Sequence, residues 1–119
     1  MEEKEKVLEN AKAFAKRLYD IGAKKVELLD ISKKNEEFFY MILSSSTSSV
    51  ATKLLASEIK KFAEKKGVKI YKTDGEFKGE WIVLDFGWFV MHILEDLART
   101  KYNLDKFWKA GKNQIKFNV

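Results

Sequence analysis

Residues 81–94 read WIVLDFGWFVMHIL, the segment with the clearest structural pattern in the chain. It contains two short apolar runs, residues 81–86 and 88–94, which meet at Asp85-Phe86-Gly87. Short apolar runs of this kind are typical of strands. Because only a tight turn lies between them, we expect the two strands to pair as an antiparallel hairpin, with Gly87 supplying a positive φ.

Two helical patterns lie upstream of the hairpin. Apolar residues recur at three- and four-residue steps over residues 4–21 and 50–66, which predicts two amphipathic helices that end at Gly22 and Gly67. The hydroxyl-rich residues 44–49 offer N-caps for the second helix. Further strands are expected over residues 25–31, 38–43 and 68–71, with the second of them buried on both faces. A short helix is expected over residues 97–108, and residues 109–119 form a tail with no clear periodicity.

The predicted order is therefore α-β-β-α-β-β-β-α, which indicates the α/β class. We expect a mixed sheet of about five strands with helices packed on it. The chain has 119 residues, of which 45% are hydrophobic and 34% are charged, so it suits one domain over residues 1–119. Its N-terminus is charged, and it has no apolar stretch near the roughly 20 residues that span a bilayer. These features predict a cytoplasmic protein without a membrane partner.

The residues give little support for an enzyme. The chain has no cysteine and one histidine, so thiol catalysis, disulfides and zinc sites are not expected, and no cofactor is implied. Asp85-Phe86-Gly87 spells a kinase tripeptide, but the glycine-rich phosphate loop and catalytic loop are missing. The hydroxyls of residues 44–49 favour helix capping, with phosphate binding at the helix N-terminus as the alternative. For His92, a hydrogen-bonded and at least half-buried side chain is favoured over a general base.

One family shares the pattern around the hairpin. Residues 79–87 read GEWIVLDFG, which resembles the GEWVLLDYG stretch of the Iojap/RsfS family of ribosomal silencing factors. The similarity continues through residues at the family's spacing, and Trp88 stands where the family usually has an aspartate. The matching positions downstream are His92, Arg99, Tyr102, Leu104 and Trp108.

This resemblance implies a nucleotidyltransferase-like α/β fold without catalytic carboxylates. It also implies that the chain binds the large ribosomal subunit, chiefly large-subunit protein fourteen, and blocks joining of the small subunit, which represses translation. Organelle relatives assist large-subunit assembly, so an RNA-binding or assembly module is the alternative. A homodimer of the free protein is a further possibility, because an exposed apolar hairpin face can self-associate.

We expect the partner-binding surface on the hairpin and the cluster that follows it. Trp81, Val83 and Asp85 alternate to one face of the first strand and Ile82, Leu84 and Phe86 to the other, and the sequence does not decide which face is exposed. Asp85 is favoured at the interface because burying an unpaired carboxylate is costly and a ribosomal partner is expected to be basic. The candidate residues are Trp81, Leu84, Asp85, Phe86, Trp88, Val90, His92, Tyr102 and Trp108.

A second candidate surface is basic. The net charge is +5, and lysines cluster near the end of the second predicted helix. Solvated lysines are the default interpretation of such a cluster, and sequence-independent contact with ribosomal RNA phosphates is the alternative. The candidate RNA-contact residues are Lys60, Lys61, Lys65 and Lys66.

Overall fold

The structure is a computed structural model that describes residues 2–117, so Met1 and the last two residues of the expected tail lie outside it. No helix in that range combines the length and apolar character needed to cross a membrane. In chain order the elements are α1 Glu2–Asp20, β1 Lys24–Asp30, β2 Tyr40–Ser46, α2 Ser49–Lys66, β3 Lys72–Asp74, β4 Trp81–Asp85, β5 Phe89–Glu95, α3 Asp96–Tyr102, α4 Leu104–Trp108 and β6 Gln114–Ile115.

The six strands form one mixed sheet in the order β3-β4-β5-β2-β1-β6. The hairpin predicted over residues 81–94 is confirmed, since β4 and β5 pair antiparallel and join at Gly87. At the centre of the sheet β2 and β5 run parallel, and the remaining pairs are antiparallel. All seven residues of β2 are buried, as expected for a strand covered on both faces. The α/β class and the mixed sheet are confirmed, with six strands rather than about five.

Helices α1 and α2 pack against the same face of the sheet. Phe14 of α1 is fully buried there, with its ring centroid 4.7 Å from that of Phe86 and 4.9 Å from that of Phe62. Ser48 caps α2 by accepting a hydrogen bond from the backbone N–H of Ala51, and Gly67 ends α2 with a φ of 72°. This packing makes the helix side of the sheet the main core.

The other face of the sheet carries a smaller cluster that is only partly covered. Its buried members are Leu29, Ile31, Met41, Leu43 and Val90. From α4, Leu104 and Trp108 pack against one side of this cluster, while Val83 and Phe38 are half-buried at its margins. We call this side of the sheet the open face.

Two predicted elements were wrong in detail. Residues 68–71 are not a strand, because Val68 and Ile70 pack against the helix-side core as the chain leaves α2. The strand that pairs with β4 begins at Lys72. The helix expected over residues 97–108 is broken at Asn103, which adopts a left-handed φ of 49°. There the Asn103 side chain accepts a hydrogen bond from the backbone N–H of Lys106 and so starts α4.

The tail is an ordered part of the sheet within the described residues. Leu28 and Leu29 of β1 pair with Ile115 and Gln114 of β6. Asn113 fixes this approach, because its side-chain amide donates to the backbone oxygens of Asp30 and Trp108. The tail therefore covers part of the β1 edge.

An ion pair between the buried Arg99 and the partly buried Asp105 holds α3 and α4 against the sheet. Arg99 is 7% exposed and forms two parallel hydrogen bonds to Asp105, at 2.7 Å and 2.9 Å. Its remaining contacts are the backbone oxygen of Lys25 in β1 and the hydroxyl of Ser45 in β2. The hydrogen bonds from Arg99 hold the pKa of the Asp105 carboxyl below its ordinary value. One guanidinium thus connects two helices and two strands.

Candidate functional site

The alternation of β4 and β5 sorts the hairpin residues between the two faces of the sheet. Ile82 and Leu84 join the helix-side core and are fully buried. Trp81, Val83 and Asp85 therefore point to the open face, where each is half-buried. The strand register places Val83 opposite His92 and Asp85 opposite Val90. The structure thus decides which face of the hairpin is available to a partner.

A cavity of about 310 Å³ lies on the open face, between the hairpin, α4 and the loop that precedes β2. We call it the sheet-face cavity. Its floor is apolar, and charged side chains stand at its rim, which is the pattern of a binding pocket with a few polar groups. The lining residues are Ile31, Asn35, Phe38, Met41, Lys72, Asp74, Val83, Asp85, Val90, His92 and Trp108.

His92 contributes a polar group to this apolar cavity. The indole Nε1–H of Trp81 donates a hydrogen bond to His92 Nδ1 at 2.9 Å. The ring is half-buried, and its removal from water lowers the pKa of His92 from 6.5 to about 4. His92 is therefore a neutral, hydrogen-bonded side chain near pH 7, as favoured from the sequence.

Asp85 has a local structural role as well as a place at the cavity rim. Its Oδ1 atom accepts a hydrogen bond from the backbone N–H of Gly87 at 2.8 Å, which holds the hairpin turn. Gly87 has a φ of 97°, and a Cβ there would lie 2.9 Å from the Tyr71 ring. A substitution of Asp85 therefore has to preserve this acceptor if it is to report on binding alone.

An aromatic pair extends the surface beyond the cavity. The Trp81 and Tyr102 rings have centroids 4.8 Å apart, and Tyr102 is 42% exposed. Trp81 also lines a neighbouring shallow pocket with Val83 and the exposed Phe77. Of the nine residues expected to bind the partner, the open face brings together six: Trp81, Asp85, Val90, His92, Tyr102 and Trp108.

The other three residues do not belong to this surface. Leu84 is fully buried and Phe86 is 5% exposed, because both point to α1 and α2 and pack in the main core. Neither side chain is accessible on the open face, so the proposed binding surface leaves both out. Trp88 is exposed, but it follows the turn rather than joining β5, and it stacks on Phe39 with ring centroids 5.0 Å apart. Since Phe39 packs against the helix-side core, Trp88 lies away from the cavity.

The lysines expected to contact RNA lie on α2, on the helix side of the sheet. Lys60 forms an ion pair with Glu76, and Lys61 lies 3.5 Å from Glu58. The Lys66 ammonium sits over the Phe62 ring, and Lys65 is exposed. The structure therefore separates these lysines from the sheet-face cavity by the thickness of the sheet.

Sequence reasoning missed the residues that the central strands contribute. Met41 lies beside Val90, and Leu43 lies beside His92, because β2 runs parallel to β5. Ile31 and Phe38 complete the cavity from the segment that joins β1 to β2. Strand geometry places Met41 and Leu43 on the same face of β2, but it does not identify the neighbouring strand.

A mixed six-stranded sheet with helices on one face and a partly covered apolar cavity on the other defines a small α/β domain. Over residues 4–118, the chain matches the family model described as ribosomal silencing factor during starvation, RsfS. The chain belongs to this family.

Individual relatives agree with the family match. A ribosomal silencing factor RsfS from Chromobacterium violaceum is 30% identical over 106 residues, which cover 89% of this chain and 87% of the relative. A crystal structure of a protein from the same organism superposes with a TM-score of 0.80 at 30% identity, covering 92% of this chain and 91% of that one. A protein from Bacillus halodurans superposes with a TM-score of 0.75 at 23% identity, covering 93% and 98%, and shares the fold.

Proposed function

We propose that this protein silences ribosomes by binding the large ribosomal subunit through the open face and preventing the small subunit from joining. The single observation that carries the proposal is the sheet-face cavity, an apolar site lined by Val83, Asp85 and Trp108 in a chain of the RsfS family. We further propose that the chief contact is large-subunit protein fourteen, and that the chain acts as a single domain in the cytoplasm without catalysing a reaction.

The mechanism needs excluded volume rather than chemistry. The described chain measures 39 × 33 × 27 Å, so one bound copy separates two surfaces that would otherwise meet. A stable protein interface buries roughly 800 Å² on each partner. This area is about a tenth of the 7392 Å² accessible surface of the chain. The broadest face of the molecule, 39 × 33 Å, is large enough to provide such an interface.

The chemistry of the open face fits a protein partner. Aromatic side chains at the centre of an interface contribute much of the binding free energy, and Trp81, Tyr102 and Trp108 are available for this purpose. Asp85 adds a carboxylate at the rim, which suits a basic ribosomal protein. The lysines of α2 would then face away from protein fourteen, on the side where ribosomal RNA could approach them.

Cosedimentation tests the proposal directly. Purified protein is mixed separately with large subunits, small subunits and joined ribosomes. We expect it to sediment with large subunits alone and to reduce the fraction of joined ribosomes as its concentration rises. Binding to every particle, or to none, contradicts silencing.

The alternative function is an RNA-binding or subunit-assembly module, and the α2 lysines are the feature that favours it. Such a module would bind naked RNA with an affinity that falls steeply as salt rises. A homodimer of the free protein would form through the same open face. Its molar mass in solution would then rise with protein concentration, and adding large subunits would convert it to the monomer. The RNA-binding and molar-mass measurements are made alongside the cosedimentation.

Val83→Glu is expected to weaken binding to large subunits about tenfold or more, because it places a carboxylate in the apolar cavity, and an unpaired buried charge opposes docking. The matched control is Val50→Glu, which makes the same change on the helix side, where Val50 is 73% exposed. Affinity is measured by cosedimentation across a concentration series. Equal affinities of the two variants for large subunits would show that the cavity is not part of the binding surface.

Asp85→Asn is expected to reduce the affinity by roughly three- to tenfold and to weaken its dependence on salt. The asparagine Oδ1 can still accept the hydrogen bond from Gly87, so the turn and the thermal stability should be retained. The control is Glu64→Gln on α2, which removes one negative charge from an exposed position. An unchanged affinity and salt slope for Asp85→Asn would show that its charge does not face the partner.

A further inference from the structure

The two ring nitrogens of His92 have different surroundings, and this difference fixes where the ring carries its hydrogen. Trp81 Nε1 can only donate, and it donates to His92 Nδ1 at 2.9 Å. Nδ1 must therefore be without a hydrogen, and in the neutral ring the hydrogen is on Nε2. The structure thus provides an N–H donor on the ring atom that Trp81 does not occupy.

Within the described side chains of the protein, this donor has no acceptor. Among residues 4–117, His92 Nε2 forms no hydrogen bond, and it is not one of the fully buried side-chain atoms that lack a partner. His92 lines the sheet-face cavity, so a molecule that enters the cavity meets this side chain. Its neighbours in the sheet are apolar, with Val83 opposite it on β4 and Leu43 opposite it on β2. A partner that covers this donor without offering an acceptor would leave it unsatisfied and would bind less tightly.

A polar group of the opposite kind stands diagonally across the cavity floor. The pairs Val83–His92 and Asp85–Val90 form a two-by-two patch on adjacent strands, so His92 and Asp85 occupy opposite corners. Diagonal neighbours in such a patch are about 7–8 Å apart. Asp85 Oδ1 is engaged by Gly87, and Oδ2 accepts no hydrogen bond within residues 4–117. The patch therefore presents one donor and one acceptor, with a valine at each remaining corner.

We propose that the sheet-face cavity recognises a polypeptide segment of the ribosomal partner that inserts an apolar side chain between Val83 and Val90 and presents a hydrogen-bond acceptor to His92 Nε2. This proposal rests on the proposed function and specifies the chemistry of its partner. A donor on the same segment, such as a basic side chain, pairs with Asp85. The polar pair fixes the orientation in which the segment docks, while the apolar side chain fills the cavity.

His92 also positions Trp81, and the two roles need to be separated. The Trp81 indole is held on one side by His92 Nδ1 and on the other by the Tyr102 ring. Loss of the imidazole would therefore disturb the aromatic rim even if Nε2 contacted nothing. Asparagine places an acceptor near the position of Nδ1 and no donor near Nε2. Glutamine places an amide donor near Nε2 and no acceptor near Nδ1.

The test compares His92→Asn and His92→Gln in binding to isolated large subunits, with thermal unfolding confirming that each variant is folded. We expect His92→Asn to lose about tenfold in affinity and His92→Gln to lose less than about threefold, as one hydrogen bond in an apolar site predicts. The indole N–H resonance of Trp81 should stay near its wild-type position in His92→Asn and move in His92→Gln. Equal losses, no losses or the reverse order would overturn the proposal.

A second readout does not depend on ribosomes. In the free wild-type protein near pH 7, nitrogen NMR of the imidazole should show the hydrogen on Nε2. A hydrogen on Nδ1 would overturn the proposal whatever the binding results. If the wild type fails to bind large subunits, the proposed function fails together with the partner it implies. If the wild type binds and the two variants do not differ as expected, only the role of His92 Nε2 fails.

Discussion

Asp105→Asn is expected to lower the free energy of unfolding by about 3 kcal/mol, because it leaves the Arg99 guanidinium buried without its counter-charge. Arg99 is 7% exposed, and Asp105 is its only carboxylate partner within residues 4–117. Removing one partner of such a pair costs more stability than replacing both partners with apolar residues, because the remaining ion stays out of water without a counter-charge. Urea denaturation at pH 7 provides the measurement.

Two controls make this result specific. Asp20→Asn removes a carboxylate from the exposed Lys16–Asp20 pair and should change the stability by less than about 1 kcal/mol. The double variant Arg99→Met with Asp105→Leu removes both charges and should recover much of the loss, since an apolar pair can replace a buried ion pair. If Asp105→Asn resembles Asp20→Asn, the ion pair does not hold α3 and α4 in place.

Acidification from pH 6.5 to pH 4 is expected to cost the folded protein up to about 3 kcal/mol through His92 alone. Burial lowers the pKa of His92 from 6.5 to about 4 in the folded state, so over this interval the unfolded chain binds a proton that the folded chain does not. The contribution is fully present above pH 6.5 and is lost as the pH falls towards 4. His92 is the only histidine in the chain, which makes the assignment direct.

The measurement is the unfolding free energy of the wild type and of His92→Gln at half-unit steps between pH 4 and 7.5. Glutamine does not titrate, so the difference between the two curves isolates the histidine from the carboxylates that protonate at lower pH. We expect the wild-type curve to fall more steeply between pH 6.5 and 4. Parallel curves would show that His92 has the same pKa in the folded and unfolded states.

Local pattern predicted much of the fold. The hairpin, the two long helices and their glycine ends follow from short-range spacing, and their bounds differ from the structure by a few residues. The elements that the local pattern did not predict depend on contacts between residues far apart in the sequence. The sequence around Asn103 continues an apolar periodicity, whereas in the structure Asn103 breaks the helix and Arg99 contacts Asp105 across the break. Gln114 and Ile115 become a strand only because β1 offers a free edge.

Distant contacts also limited how much of the candidate surface the sequence could predict. Alternation separates Leu84 from Asp85, but it does not say which of them meets α1 and α2. Asp85 was favoured because an unpaired buried carboxylate is costly, while Leu84 and Phe86 were included with the hairpin and are buried in the main core. The cavity floor depends on the parallel pairing of β2 with β5, which joins Met41 to Val90 across a long stretch of chain. No pattern among neighbouring residues in the sequence predicts the pairing of β2 with β5.

The same parallel pairing bears on how the chain folds as it is synthesised. Tyr40 of β2 pairs with Phe89 of β5 and Ser46 with Glu95, so residues 47–88 lie between the two strands of the central ladder. Until β5 has emerged, β2 has one exposed edge and its apolar side chains lack part of their cover. Pairings between distant segments form slowly, because loop closure precedes the gain in contacts. A nascent chain that ends before residue 89 therefore exposes β2, and protection of its amides from hydrogen exchange should arise only once β5 is available.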